Sequence, residues 1–204
     1  MKKMMLVSSF KDVASIFEKF AGDVKGKTVT FIPTASVVEK VNFFVKSGKK
    51  ALEKMGLIVE ELEVSSATAD EIVNKLTKND YIYVTGGNTF FLLQELKKSG
   101  ADKIISEQIE AGKLYIGESA GLMVMAPDVE FAKGLDSIKK APELDGTKGL
   151  GLVNFYPVPH ATNAPFKKAV EKIVATYGES LQLKTISNNQ AILIQDDDVK
   201  IESV

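Results

Sequence analysis

Leu114-Tyr115-Ile116-Gly117-Glu118-Ser119-Ala120-Gly121 is the stretch whose reading decides the fold. Leu114 to Gly117 reads as a short buried strand, and the residues beyond Ser119 as a short helix, so a strand enters a helix through a glycine-flanked turn. The same sign recurs upstream. Tyr81 to Thr85 reads as a central strand running into Gly86-Gly87-Asn88-Thr89 and a helix over Phe90 to Lys98 closed by Gly100, with a further helix ending near Gly112.

Outward from these two turns the alternation continues. Met4 to Ser8 is a strand and Asp12 to Ala21 a helix; Thr28 to Ile32 is a second strand, stopped by Pro33. Ser36 and Glu39 have the spacing of a capping box and predict a helix running to about Met55, ended by Gly56; Thr68 and Glu71 predict another to Thr77. Leu57 to Val64 alternates apolar with acidic residues, as a half-buried strand near a sheet edge does. Asp128 to Gly151, rich in Lys, Asp, Gly and Pro, is expected to be a long loop, and long loops inside compact domains tend to be functional. Leu152 to Pro159 is strand-like and delivers His160; Pro165 to Tyr177 is helical, and Leu183 to Ser203 reads as antiparallel strands. The expected fold is α/β, with a mostly parallel central sheet flanked by helices, in one domain over residues 1–204.

The 204 residues are 45% hydrophobic, enough for a sizeable core. The 26 basic and 27 acidic residues are scattered, giving a net charge of -1, so neither a nucleic-acid face nor a charged tail is expected. A small molecule or peptide is the better substrate. Met1 to Phe10 is too short for a signal sequence or a membrane span, which predicts a cytoplasmic protein without membrane attachment. The chain has no cysteine, which excludes disulfides, thiolate metal sites and cysteine nucleophiles. Every basic side chain is a lysine, and His160 is the only histidine.

Gly117-Glu118-Ser119-Ala120-Gly121 matches G-x-S-x-G, directly after an apolar strand and before a helix. Such a turn lifts a serine above the sheet edge, and its glycines are needed because a Cβ there would meet neighbouring backbone. A serine hydroxyl needs a base to take its proton, and His160, in Tyr156-Pro157-Val158-Pro159-His160, is the one imidazole available. The base in turn needs a carboxylate on its other nitrogen, to fix the tautomer and stabilise the imidazolium. Asp128, Glu130, Asp136, Glu143 and Asp145 lie between Ser119 and His160; Asp136 is favoured and Glu130 comes next, although spacing alone does not choose. Oxyanion donors would be the N–H of Ala120 and that of Gly86 or Gly87. The glycine turn lacks a Walker lysine and a third glycine, which argues against nucleotide binding.

Val84-Thr85-Gly86-Gly87-Asn88-Thr89-Phe90, Tyr115-Ile116-Gly117-Glu118-Ser119-Ala120-Gly121 and Pro159-His160-Ala161-Thr162-Asn163 resemble, in order and approximate spacing, the three signature segments of the peptidase E family of α-aspartyl dipeptidases. Phe31-Ile32-Pro33 resembles the segment after that family's second strand, and the resemblance covers nearly the whole chain. It implies a fold similar to the class I glutamine amidotransferase domain, with serine in place of cysteine. It implies a Ser-His-Asp triad of Ser119, His160 and Asp136, the last in Leu135-Asp136-Ser137 after a small insertion, since an ungapped alignment puts Gly134 there. The oxyanion donors become Gly87 and Ala120, with Asn88 beside the substrate. The implied activity is cleavage of dipeptides with an N-terminal aspartate, without metal or other cofactor, by a monomer or homodimer. Some relatives hold the aspartate with arginine; here Lys168 or its neighbour Lys167 would replace it, as a point charge in place of a fork. An esterase or amidase on another small acyl group, or a catalytically silent ligand-binding module, are the alternatives to a dipeptidase.

Overall fold

The computed structural model describes residues 1–204. Strands β1 (Lys3–Val7), β2 (Thr28–Ile32), β3 (Ile58–Glu61), β4 (Tyr81–Val84) and β5 (Leu114–Glu118) lie parallel in the order β3-β2-β4-β5-β1. The crossovers are helices α1 (Ala14–Ala21), α2 (Phe43–Lys54), α3 (Ala69–Lys78), and the pair α4 (Thr89–Ser99) and α5 (Ala101–Glu110). After α6 (Ala120–Met123) come β6 (Tyr156–Val158), α7 (Lys167–Tyr177), β7 (Leu183–Thr185), β8 (Gln190–Gln195) and β9 (Asp198–Ser203). β8 joins β1 antiparallel and β9 joins β8, completing a seven-stranded, mostly parallel α/β sheet. No helix is long and apolar enough to cross a membrane.

The period of two along each strand sorts the core onto two faces. Met4, Leu6, Ile82 and Val84 point to one side and pack with residues of α3, α4, α5 and α7 in a cluster of 37 buried residues. Met5, Val7, Tyr83 and Ile116 point to the other, where α1 and α2 close over them in a cluster of 16. The first face is the larger because it also receives the chain from Ala120 to Val158, which packs there through residues such as Val124, Phe131 and Phe155.

Four expectations need correction. Ser36 does not cap a helix: its hydroxyl donates back to Pro33 O at 2.8 Å and the chain forms a 3-10 turn over Thr34–Ser36. A serine so placed bonds its own preceding backbone instead of accepting from the N–H groups of a helix, and α2 begins only at Phe43. The strand that carries His160 is shorter than expected and lies outside the main sheet, pairing parallel with β7 in a separate two-stranded sheet. β7 is therefore not antiparallel, unlike the β8–β9 hairpin that follows it. The expected loop 128–151 carries two 3-10 turns, Glu130–Gly134 and Ile138–Lys140.

Register fixes what gathers at the carboxyl edge. Val7 pairs with Glu118, and Val84 with both Ile32 and Gly117, so the turns after β4 and β5 are neighbours. Because β8 runs antiparallel, its Ala191 pairs with Val7, and the residues just before β8 reach the same edge.

Candidate active site

Ser119 sits on the turn between β5 and α6 with φ 49° and ψ −100°. A non-glycine residue at positive φ is strained by about 1–3 kcal/mol, and the surroundings hold it there. Its N–H donates to Val7 O at 2.9 Å. A Cβ on Gly117 would come 2.5 Å from Gly121 O, and one on Gly121 would come 2.4 Å from Val84 O. Those glycines let the turn close against itself and against β4.

His160 follows β6 at φ 62°. Its N–H donates to Ser8 Oγ at 3.0 Å, and the Phe166 ring stacks on the imidazole with 4.6 Å between centroids. Nε2 lies 3.2 Å from Ser119 Oγ, and Nδ1 lies 2.7 Å from Asn188 Oδ1. An amide oxygen accepts only, so Nδ1 carries the proton and Nε2 is left to receive that of the serine. Asn188 is itself anchored, its N–H donating to Asn163 Oδ1 at 2.9 Å. Burial pushes the His160 pKa down, and the bond to Asn188 partly opposes this. The imidazole is thus kept neutral, as a base must be.

Asp136 is not the residue on His160. Its Oδ2 accepts from Thr89 N–H at 2.9 Å and Thr89 Oγ1 at 2.6 Å, capping α4. The reason is topological: the turn that carries Asp136 packs over the start of α4, whereas Nδ1 of His160 faces the connection before β8. Glu130 is further removed, pairing with Lys133 on the surface. Sequence reasoning missed Asn188 because it sought a carboxylate between serine and histidine. The available signal was the polar turn Ser187-Asn188-Asn189: once the last strands are placed antiparallel beside β1, a turn preceding them must lie at the active edge.

The other expected residues divide. Gly86 approaches Ser119 so closely that a Cβ on it would sit 3.1 Å from the serine Cβ, and Gly87 has φ 137° with the Ala35 carbonyl against its open face. The N–H groups of Gly87 and Ala120 find no acceptor within the protein, the condition for donors awaiting an oxyanion. Asn88 lines the cavity, but its side chain is committed: Oδ1 accepts from Phe91 N–H and Nδ2 donates to Ser137 O. Lys167 and Lys168 stand exposed on the first turn of α7 and do not line the cavity.

That cavity, about 780 Å³, opens over Ser119 and His160. Its lysines are Lys140, 2.7 Å from Glu39, and Lys11, 3.5 Å from Asp12. Glu118, beneath the serine turn, accepts from Tyr83 Oη at 2.8 Å and from Phe10 N–H at 2.9 Å, and burial raises its pKa to about 7.

Residues 4–202 match the model of peptidase family S51. An uncharacterized peptidase of Listeria innocua is 57% identical over 199 residues, covering 98% of this chain and 95% of that one. Peptidase E of Haemophilus influenzae is 31% identical over 137 residues, 63% of this chain and 61% of the relative. The crystal structure of a Listeria monocytogenes protein provisionally named a peptidase E superposes with a TM-score of 0.97 at 53% identity, covering 100% of this chain and 99% of the other.

Proposed function

The chain belongs to peptidase family S51 and is a serine peptidase; from that premise we propose that it cleaves dipeptides, those with an N-terminal aspartate foremost, through an acyl-enzyme on Ser119. The observation that carries this reading is the 3.2 Å contact between Ser119 Oγ and His160 Nε2 on a strained, glycine-flanked turn.

Ser119 Oγ attacks the scissile carbonyl carbon as His160 Nε2 takes the hydroxyl proton. The negative charge that develops on the carbonyl oxygen is met by the N–H groups of Gly87 and Ala120. His160 then returns the proton to the leaving amine as the C–N bond breaks. Water, deprotonated by the same nitrogen, adds to the acyl carbon, and the proton passes to Ser119 Oγ as the ester bond breaks and the acid leaves. Asn188 holds the imidazole in the required tautomer throughout, as the asparagine of papain-like proteases does. The side chain of an N-terminal aspartate meets Lys140, which exchanges Glu39 for the substrate; Lys168 does not line the cavity.

Hydrolysis of Asp-Leu by the wild type and by Ser119→Ala, with a metal chelator present, tests the reading. Turnover should survive the chelator and fall by about 10³-fold or more in the variant. Full activity in Ser119→Ala would remove the serine from the mechanism.

A further inference from the structure

We infer that Asp136 binds the N-terminal ammonium of the substrate and so restricts the enzyme to peptides with a free amino terminus. This rests on the peptidase reading of the same cavity and deepens it.

Each other charged group lining the cavity is already partnered. Lys140 is held by Glu39 and Lys11 by Asp12, while Glu118 is buried and accepts from Tyr83 and Phe10. Asp136 is the one lining carboxylate with neither a lysine ion pair nor hydrogen bonds on both oxygens. Its Oδ2 is fixed by two bonds to Thr89, whereas Oδ1 makes no hydrogen bond in the protein and is not sealed from solvent. Thr89 cannot neutralise it, being a donor without charge.

Position supports the assignment. Thr89 follows the Gly86-Gly87-Asn88 turn, so Asp136 stands on the side of Ser119 where the oxyanion donors hold the acyl half of the substrate. In a dipeptide the ammonium is one carbon from the scissile carbonyl and must lie in that half. His160, which protonates the leaving amine, marks the other. Burial raises the Asp136 pKa to about 6, more than the Thr89 bonds lower it, so an arriving cation relieves a charge the fold holds at a cost. Lys140, one 3-10 turn beyond Asp136, stands on the same wall for the aspartate side chain, so ammonium and side-chain carboxylate face opposite charges.

Binding to Ser119→Ala separates this from catalysis. Calorimetry with Ala-Leu and N-acetyl-Ala-Leu, which have no acidic side chain, should show the free amine binding about tenfold tighter or more. Ser119→Ala/Asp136→Asn should lose that preference by weakening only the free-amine peptide, because asparagine keeps an acceptor for Thr89 while removing the charge. Equal weakening of both peptides would make Asp136 a support for the glycine turn and overturn the inference. So would an undiminished preference, or undetectable binding of the free-amine peptide. Should the wild type fail to hydrolyse Asp-Leu while the Asp136-dependent preference persists, the mechanism on Ser119 fails and the ammonium site stands.

Discussion

The nucleophile and the base come from two kinds of structure that meet at one edge. Ser119, Gly87 and Ala120 belong to the parallel half of the sheet, where backbone packed on backbone fixes position: glycine faces lie against the carbonyls of Ala35, Val84 and Gly121. His160 and Asn188 belong to the C-terminal part, where a small separate sheet and the approach to an antiparallel strand are held by side-chain bonds through Ser8 and Asn163. The nucleophile's placement is therefore rigid and intolerant of added volume, whereas the base rests on a relay in which single atoms can be exchanged.

Gly121→Ala should have the largest effect. A methyl 2.4 Å from Val84 O cannot be absorbed by rotating a side chain. The turn must move, costing about 2–4 kcal/mol of stability and lowering kcat about 10²–10³-fold as the Ala120 donor shifts. Thermal unfolding and steady-state hydrolysis of Asp-Leu check both. A stable, active Gly121→Ala would mean that the parallel half is no more rigid than the tail.

Asn188 sharpens the contrast from the other side. Asn188→Ala removes the acceptor of His160 Nδ1 and should lower kcat about 10–10²-fold with the fold intact. Asn188→Asp keeps an acceptor at 2.7 Å and adds a charge that favours imidazolium, so kcat should equal or exceed the wild type. The His160 pKa, held low by burial, should rise, moving the acid limb of kcat/KM to higher pH. An unmoved limb would mean that the residue facing Nδ1 is not Asn188.

The same division explains what the sequence reveals. Tyr81–Val84 and Leu114–Glu118 announce themselves because buried parallel strands are apolar and β-branched, and because the turns after them need glycine. Ser119 and Ala120 follow from position along one local motif, whereas Gly87 is chosen over Gly86 only by the family resemblance. The tail is different: Leu183–Thr185 and Gln190–Gln195 are both short strands, and nothing in either says that one pairs with β6 and the other with β1. That pairing places Asn188 on His160 and leaves Asp136 to cap α4. His160 was legible by elimination, as the sole imidazole, although the sheet that carries it was not.

The smallest effect concerns charge beneath the nucleophile. Glu118 belongs to the parallel half, and its folded pKa of about 7 stands above the ordinary value of 4.5. Its protonated form is the one that the fold favours, so its stabilisation is fully present below pH 4.5 and is lost as pH rises through 7. Unfolding measurements between pH 5 and 8 should show stability falling by about 1–3 kcal/mol from this group. Glu118→Gln, which still accepts from Phe10 and can bond Tyr83, should flatten that slope. Turnover should change little, because the Ser119 turn is held by Gly117, Gly121 and Val7 and does not depend on the charge below it. If Glu118→Gln instead abolished turnover at unchanged stability, the carboxyl would belong with His160 and Asn188 among the groups that handle the proton, and the rigid half would not be electrostatically passive.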